Sequence, residues 1–151
     1  MKLQKKTEAL PTHKKAILQV VAYRRIRLAV NSVLNRFDLN TTQWMMLSVL
    51  YESATGLRIT DIARSLEVEV PLITRLSRSL IKAGLVESKA NTGDKRTKPV
   101  GLTSAGQKVI AKVDKDLQKK TAELEEGLSN KEVNGYFKTL AAFRDNAAPG
   151  V

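Results

Sequence analysis

Apolar residues recur along this chain at helical spacing, interrupted by short polar clusters that mark helix starts and turns. From Lys14 to Phe37, residues Ala22, Ile26, Val30, Val33 and Phe37 follow at steps of three or four, while Ile17, Val21 and Leu28 form a second stripe. A helix with two apolar stripes needs two packing partners. Asn40-Thr41-Thr42-Gln43 has the form of a capping box, with Leu39 and Trp44 in the positions of a hydrophobic staple. A second helix is therefore expected to carry Trp44, Leu47, Leu50 and Tyr51 and to end before Gly56, where the chain turns without steric cost.

Leu57-Arg58-Ile59 is long enough for one strand-like pairing, and Thr60 is placed to cap a short helix with Ile62, Ala63 and Leu66 on its inner face. Glu67 and Glu69 mark a turn, and Pro71 suits the first position of the next helix, where its missing N–H costs nothing. On a wheel of about 100° per residue that helix gathers Leu72, Ile73, Leu76 and Leu80 on one side and Pro71, Thr74, Arg75, Arg78 and Lys82 on the other. Gly84 ends it. Leu85 to Lys89 reads as a strand, Asn91-Thr92-Gly93-Asp94 as a turn, and Lys98 to Leu102 as the returning strand, with Pro99 favouring a sheet edge because it lacks a donor. Thr103 is placed to cap a long helix whose Ile110, Val113, Leu117, Leu124 and Leu128 approach a heptad seam. Ser129-Asn130-Lys131-Glu132 is a further capping box, opening a last helix with Tyr136, Phe137 and Leu140 inward and a frayed tail from Ala147. No internal repeat and no low-complexity linker interrupts this order.

The predicted fold is mainly α with a small β-hairpin wing. A winged helix-turn-helix occupies residues 39–103, flanked by an N-terminal dimerisation helix over 1–38 and C-terminal dimerisation helices over 104–151, all within one continuous domain. A length of 151 residues suits one core with helical appendages. The apolar stripes of the first helix and the last two exceed what a lone winged helix would cover, which favours association of two copies.

Composition narrows the function. The formal charge is +11, pointing to an anionic partner such as duplex DNA, RNA or a membrane surface. Residues 1–38 hold nine Lys/Arg against two Asp/Glu, residues 56–103 nine against five, and residues 104–151 eight against seven, so the excess sits in the N-terminal helix and the central region. The chain has no cysteine, which removes disulfides, thiolate metal sites and thiol redox switches. Its one histidine, His13, has no Ser or Asp fixed beside it by spacing and there is no Gly-rich phosphate loop, so neither an enzyme nor a metal or cofactor site is expected. Apolar stretches are short and broken by charge, giving a cytoplasmic protein with no membrane segment as the expectation.

A major groove about 12 Å wide accepts one helix, so a reader of duplex DNA needs a helix apolar on one side and rich in donors on the other. The helix from Pro71 to Ala83 fits. Arg75 and Arg78 are candidates for bidentate contact with guanine, Thr74 for a base edge or thymine methyl, and Lys82 for phosphate. Lys89, Lys95, Arg96 and Lys98 then place four cations around the hairpin, where a guanidinium at the tip suits the minor groove. Asp94 is placed to orient Arg96 or to cap the turn.

In their order and spacing these pieces resemble the MarR (multiple antibiotic resistance regulator) family. They are Gln43-Trp44, Thr60-Asp61-Ile62-Ala63-Arg64-Ser65-Leu66, Ile73-Thr74-Arg75-Leu76 with Leu80, Gly84-Leu85-Val86, Asp94-Lys95-Arg96 and Leu102-Thr103-Ser104-Ala105-Gly106. The resemblance covers nearly the whole length. It implies a homodimeric regulator of transcription, a repressor on a pseudo-palindromic operator, with Arg96 as minor-groove arginine and Asp94 as its supporting acid. Two departures stand out: Ser88 occupies a place where the family usually has a basic residue, and Leu72 one where it often has a small polar residue, leaving Leu72 either to meet a thymine methyl or to pack. The resemblance also implies a small aromatic or phenolic effector between the dimer helices and the winged unit. Tyr23, Trp44 and Met45 border that region, with ordinary core packing the stronger reading for them, so the effector-binding residues stay unassigned. The competing function is a nucleoid-architectural or protein-interaction module that uses the same charge without sequence choice.

Overall fold

In the computed structural model, which describes residues 10–89 and 98–147, the first long helix, α1, runs Thr12–Leu34 and tightens into a 3-10 turn over Asn35–Phe37. Only its C-terminal end is covered: Val33 and Leu34 are buried, whereas Ile17, Val21 and Leu28 of the second stripe are exposed. Asp38 then turns the chain at φ 54°, a left-handed conformation that a short polar side chain tolerates. Helix α2, Thr41–Tyr51, starts on the expected capping box: Asn40 Oδ1 accepts from the Gln43 N–H at 2.9 Å, and Gln43 Oε1 accepts from the Asn40 N–H at 3.0 Å.

Helix α3, Ile59–Ser65, begins before Thr60, so the threonine cap expected there is absent. The preceding chain explains it. Leu57 exchanges backbone hydrogen bonds with Val100 in both directions (2.9 and 2.8 Å), which holds the segment extended as far as Arg58 and sets the helix start just after it. Gly56, at φ 81°, makes this approach possible, because a Cβ there would lie 2.6 Å from the Val100 carbonyl oxygen. Helix α4, Val70–Lys82, follows a turn through Glu67 at φ 53°. Val70 is its first residue and Pro71 its second, one place later than expected, which still wastes no donor because the first four helical N–H groups have no partner within the helix.

Strands β1 (Val86–Ser88) and β2 (Val100–Leu102) pair antiparallel in the register Val86↔Leu102, Glu87↔Gly101, Ser88↔Val100. Helix α5, Ser104–Leu124, leaves β2 through Thr103, whose Oγ1 accepts from the Gly106 N–H at 3.0 Å and donates to the Gly84 carbonyl at 2.6 Å. One hydroxyl thus ties the end of α4 to the start of α5 and fixes the root of the hairpin between them. The core lies where α2 to α5 and the two strands converge, around Met46, Leu47, Leu50, Ile62, Ile73, Leu80 and Ile110, each at most 1 % exposed. Helix α6, Asn130–Asn146, has its own capping box on Ser129 and Glu132 but no buried residue. Tyr136, Phe137 and Leu140, expected inward, are 51 %, 54 % and 47 % exposed, because no other part of the described chain covers that face. Among the described residues no helix is long and apolar enough to cross a membrane.

Candidate nucleic-acid interface

The two sides of α4 separate as the wheel predicts. Ile73, Leu76 and Leu80 are buried together with Ser77, and Leu72 is half-buried against the same core, so of its two sequence readings the packing one describes its position here. Pro71, Arg75, Arg78 and Lys82 are exposed on the opposite side. Among the described residues none of those three cations is in a salt bridge, although five ion pairs are formed elsewhere. Asp61, the one acid of α3, is engaged by Arg64 at 3.2 Å. The row Arg75, Arg78, Lys82 advances by three and four residues, which aligns the cations along one face over two turns.

Thr74 is half-buried, and its Oγ1 donates to the Val70 carbonyl at 3.0 Å. Its hydroxyl proton is used within the helix, so towards a ligand it presents acceptor lone pairs and a methyl group.

The wing residues divide. Lys98 is exposed next to β2. Lys89 is half-buried: its stem lies across Gly101 of β2, where a Cβ would collide with it, and its ammonium donates to the Ala54 carbonyl at 3.4 Å. That places Lys89 at the wing root, tying it to the loop after α2, a placement that the count of cations around the hairpin did not foresee. Asp94, Lys95 and Arg96 lie outside the described residues.

A basic helix held on a buried face by a helix-turn-helix and followed by an antiparallel hairpin defines a winged helix-turn-helix protein. The MarR family model matches residues 39–98, from the staple residue before α2 to the approach of β2. Over its winged unit the chain is similar to the MarR family. Solved structures share the fold over more than that unit. MepR of Staphylococcus aureus, solved as a complex with DNA, is 24 % identical with a TM-score of 0.77, over 87 % of this chain and 97 % of that one. CouR of Rhodococcus jostii, bound to p-coumaroyl-CoA, is 21 % identical with a TM-score of 0.75, over 85 % and 89 %. NadR in complex with 4-hydroxyphenylacetate is 22 % identical with a TM-score of 0.71, over 95 % and 100 %.

One feature of the α2–α5 contact had no counterpart among the assigned site residues. Trp44, half-buried at the start of α2, has its indole Nε1 buried with no hydrogen-bond partner among the described residues. It lines a cleft of 430 Å³ against α5 together with Asp114, Leu117, Gln118, Thr121 and Glu125. Burial raises the Asp114 carboxyl above its ordinary value. A signal for this site exists in the sequence: Asp114, Gln118, Thr121 and Glu125 follow at steps of four, three and four, a polar ladder beside the apolar seam of α5.

Proposed function

We propose that this protein is a sequence-specific DNA-binding regulator of transcription that acts as a homodimer, a repressor on a pseudo-palindromic operator. The observation that carries the reading is the division of α4, with one face closed into the core and a row of Arg75, Arg78 and Lys82 left without acidic partners among the described residues. In this reading α4 enters the major groove. Arg75 and Arg78 read guanine, Thr74 offers an acceptor or its methyl to a base edge, Lys82 meets phosphate, and Pro71 and Leu72 set the approach of the helix N-terminus. Lys98, Lys95 and Arg96 serve the adjacent minor groove and phosphates, with Asp94 orienting Arg96 and Lys89 supporting the wing from its root.

Two copies pair through the stripes of α1, α5 and α6, which leaves residues 39–103 as the DNA-binding region and 1–38 and 104–151 as the dimerisation arms. The half-sites are then about one helical turn apart, on the order of 34–36 Å, or a multiple of it. Regulation by a small aromatic or phenolic effector is supported by the ligand-bound CouR and NadR neighbours. The protein works in the cytoplasm.

Genomic footprinting supplies the operator, and salt-dependent binding to that operator and to random duplex then tests the reading. A specificity ratio of roughly 10³ or more is expected for a regulator. Equal affinity for both duplexes would make the protein an architectural DNA binder instead.

A further inference from the structure

Helix α4 starts one residue earlier than its sequence pattern predicts, which brings a residue outside the assigned site into line with its cations. Val70 is the first helical residue. From there a row at steps of four runs Val70, Thr74, Arg78 and Lys82, neighbours on successive turns of one side of the helix. The row is graded from an apolar side chain at its N-terminal end, through a threonine, to two cations. Val70 is 42 % exposed. The helix start does not need its side chain, because the staple positions about the cap at Glu69 are filled by Val68 and Ile73, both packed in the core. Leu72, the other apolar residue of the first turn, packs against that core as well. Thr74 gives its hydroxyl proton to the Val70 carbonyl at 3.0 Å, so neither side chain offers a donor at this end of the row.

We infer that Val70 is a specificity-determining residue that packs on the C5-methyl group of a thymine in the major groove, with Thr74 beside it. Of the four unmodified bases only thymine presents a methyl group there; the other features of the groove edge are hydrogen-bond donors and acceptors, which a valine leaves unpaired. The N-terminal residues of a recognition helix are the ones that reach base edges, and Val70 continues the row of Arg78 and Lys82 towards that end. Contact with thymine takes two apolar surfaces out of water, whereas a cytosine in its place would turn an amino donor towards the same methyl groups. Ile81 is the matched contrast. It is equally exposed, at 42 %, and lies within about 20° of Val70 around the helix, but about three turns further on, at the C-terminal end. This role depends on α4 entering the major groove, as the regulator reading above has it.

Replacing a thymine by uracil removes the C5-methyl group and leaves every hydrogen-bonding group of the base in place. The full-length protein is titrated with synthetic duplexes of the footprinted operator in which each thymine in turn is uracil. At one thymine of a half-site the replacement is expected to weaken binding about fourfold, the affinity that burying one methyl group supplies. Val70→Ala, which keeps a good helix former at an exposed position, is expected to bring thymine and uracil at that place to within about 1.5-fold. Ile81→Ala is expected to keep the fourfold difference. The inference is overturned if no thymine is worth at least about twofold, if every such difference survives Val70→Ala, or if Ile81→Ala removes it. Random duplexes containing either thymine or uracil throughout, titrated alongside, separate the two readings. Preference for the operator without discrimination of the methyl group sinks the thymine inference alone. Discrimination that Val70→Ala removes, without preference for the operator, sinks the regulator reading alone.

Discussion

Helices α4 and α6 are of similar length, 13 and 17 residues, and each carries an apolar stripe opposite a polar face. Their fates in one copy of the chain are opposite. On α4 the stripe is closed by α2, α3 and β1, and Ile73 and Leu80 are at most 1 % exposed. On α6 nothing is buried, and Tyr136, Phe137, Leu140 and Phe143 are about half exposed, with Tyr136 and Phe137 in edge contact at a centroid distance of 5.1 Å. An apolar stripe in a sequence therefore calls for cover without saying whether the same chain supplies it. For α4 the winged unit supplies it, and for α6 we propose a second copy.

The largest expected effect tests the closed side. Leu80→Ala removes a side chain that is 1 % exposed and should cost about 2–5 kcal/mol of stability, read from urea denaturation. A loss below about 1 kcal/mol would mean that the α4 face is not held by its core contacts. The matched change on the open side is Tyr136→Ala with Phe137→Ala. It should dissociate the dimer by about 100-fold or more, seen in sedimentation velocity over a dilution series, because buried aromatic anchors dominate interfaces of this kind. The winged unit of the dissociated protein should keep its native near-ultraviolet dichroism. If the dimer survives intact, α6 is not the interface and the contrast between the two helices fails.

Much of this division was legible beforehand, and its gaps have physical causes. The boxes at Asn40 and Ser129 are local, four-residue devices, so they were readable in advance and are present as read. The wheel of α4 was legible for the same reason, since a strong 3.6-residue period has one solution. Thr60 failed as a cap because the helix start is decided by Val100, some forty residues downstream, through its backbone pairing with Leu57. Lys89 was counted with the wing cations because its charge was visible, whereas its support on Gly101 and Ala54 depends on a strand register that composition does not carry. The inward reading of α6 assumed that the chain buries its own stripes.

A smaller effect separates the cations that face outward from the one that is tied down. Arg75→Ala or Arg78→Ala should cost about 1–3 kcal/mol at one particular base pair of the operator, measured by competition among single-substituted duplexes, and leave the fold intact. A uniform loss across all sequences would instead mark that residue as a phosphate ligand. Lys89→Met, which keeps most of the stem and removes the charge, should change affinity far less and leave the salt slope of binding unaltered. A slope reduced by about one would show that Lys89 does reach phosphate and would erase the distinction.

The smallest effect compares the two capping boxes, which differ in one atom type that matters to pH. At α2 the reciprocal partner is Gln43, which does not titrate, and Asn40→Ala should cost about 0.5–2 kcal/mol at any pH. At α6 the partner is Glu132, whose carboxylate accepts from the Ser129 hydroxyl at 2.7 Å and the Ser129 N–H at 2.8 Å. These bonds, the hydroxyl first, hold its carboxyl below the ordinary value of 4.5. A carboxyl depressed in the folded state contributes stability above its unfolded value, and that contribution is lost as pH falls below 4.5 towards the lower folded value. The start of α6 should accordingly fray in acid before the start of α2 does, seen as faster amide exchange of the first turn of α6 than of α2 as the pH falls below 4.5. Glu132→Gln keeps the hydrogen-bond acceptor, removes the titration and should abolish that difference. If the variant frays with the same pH dependence, protonation of some other group drives the loss, and the two boxes are equivalent in this respect.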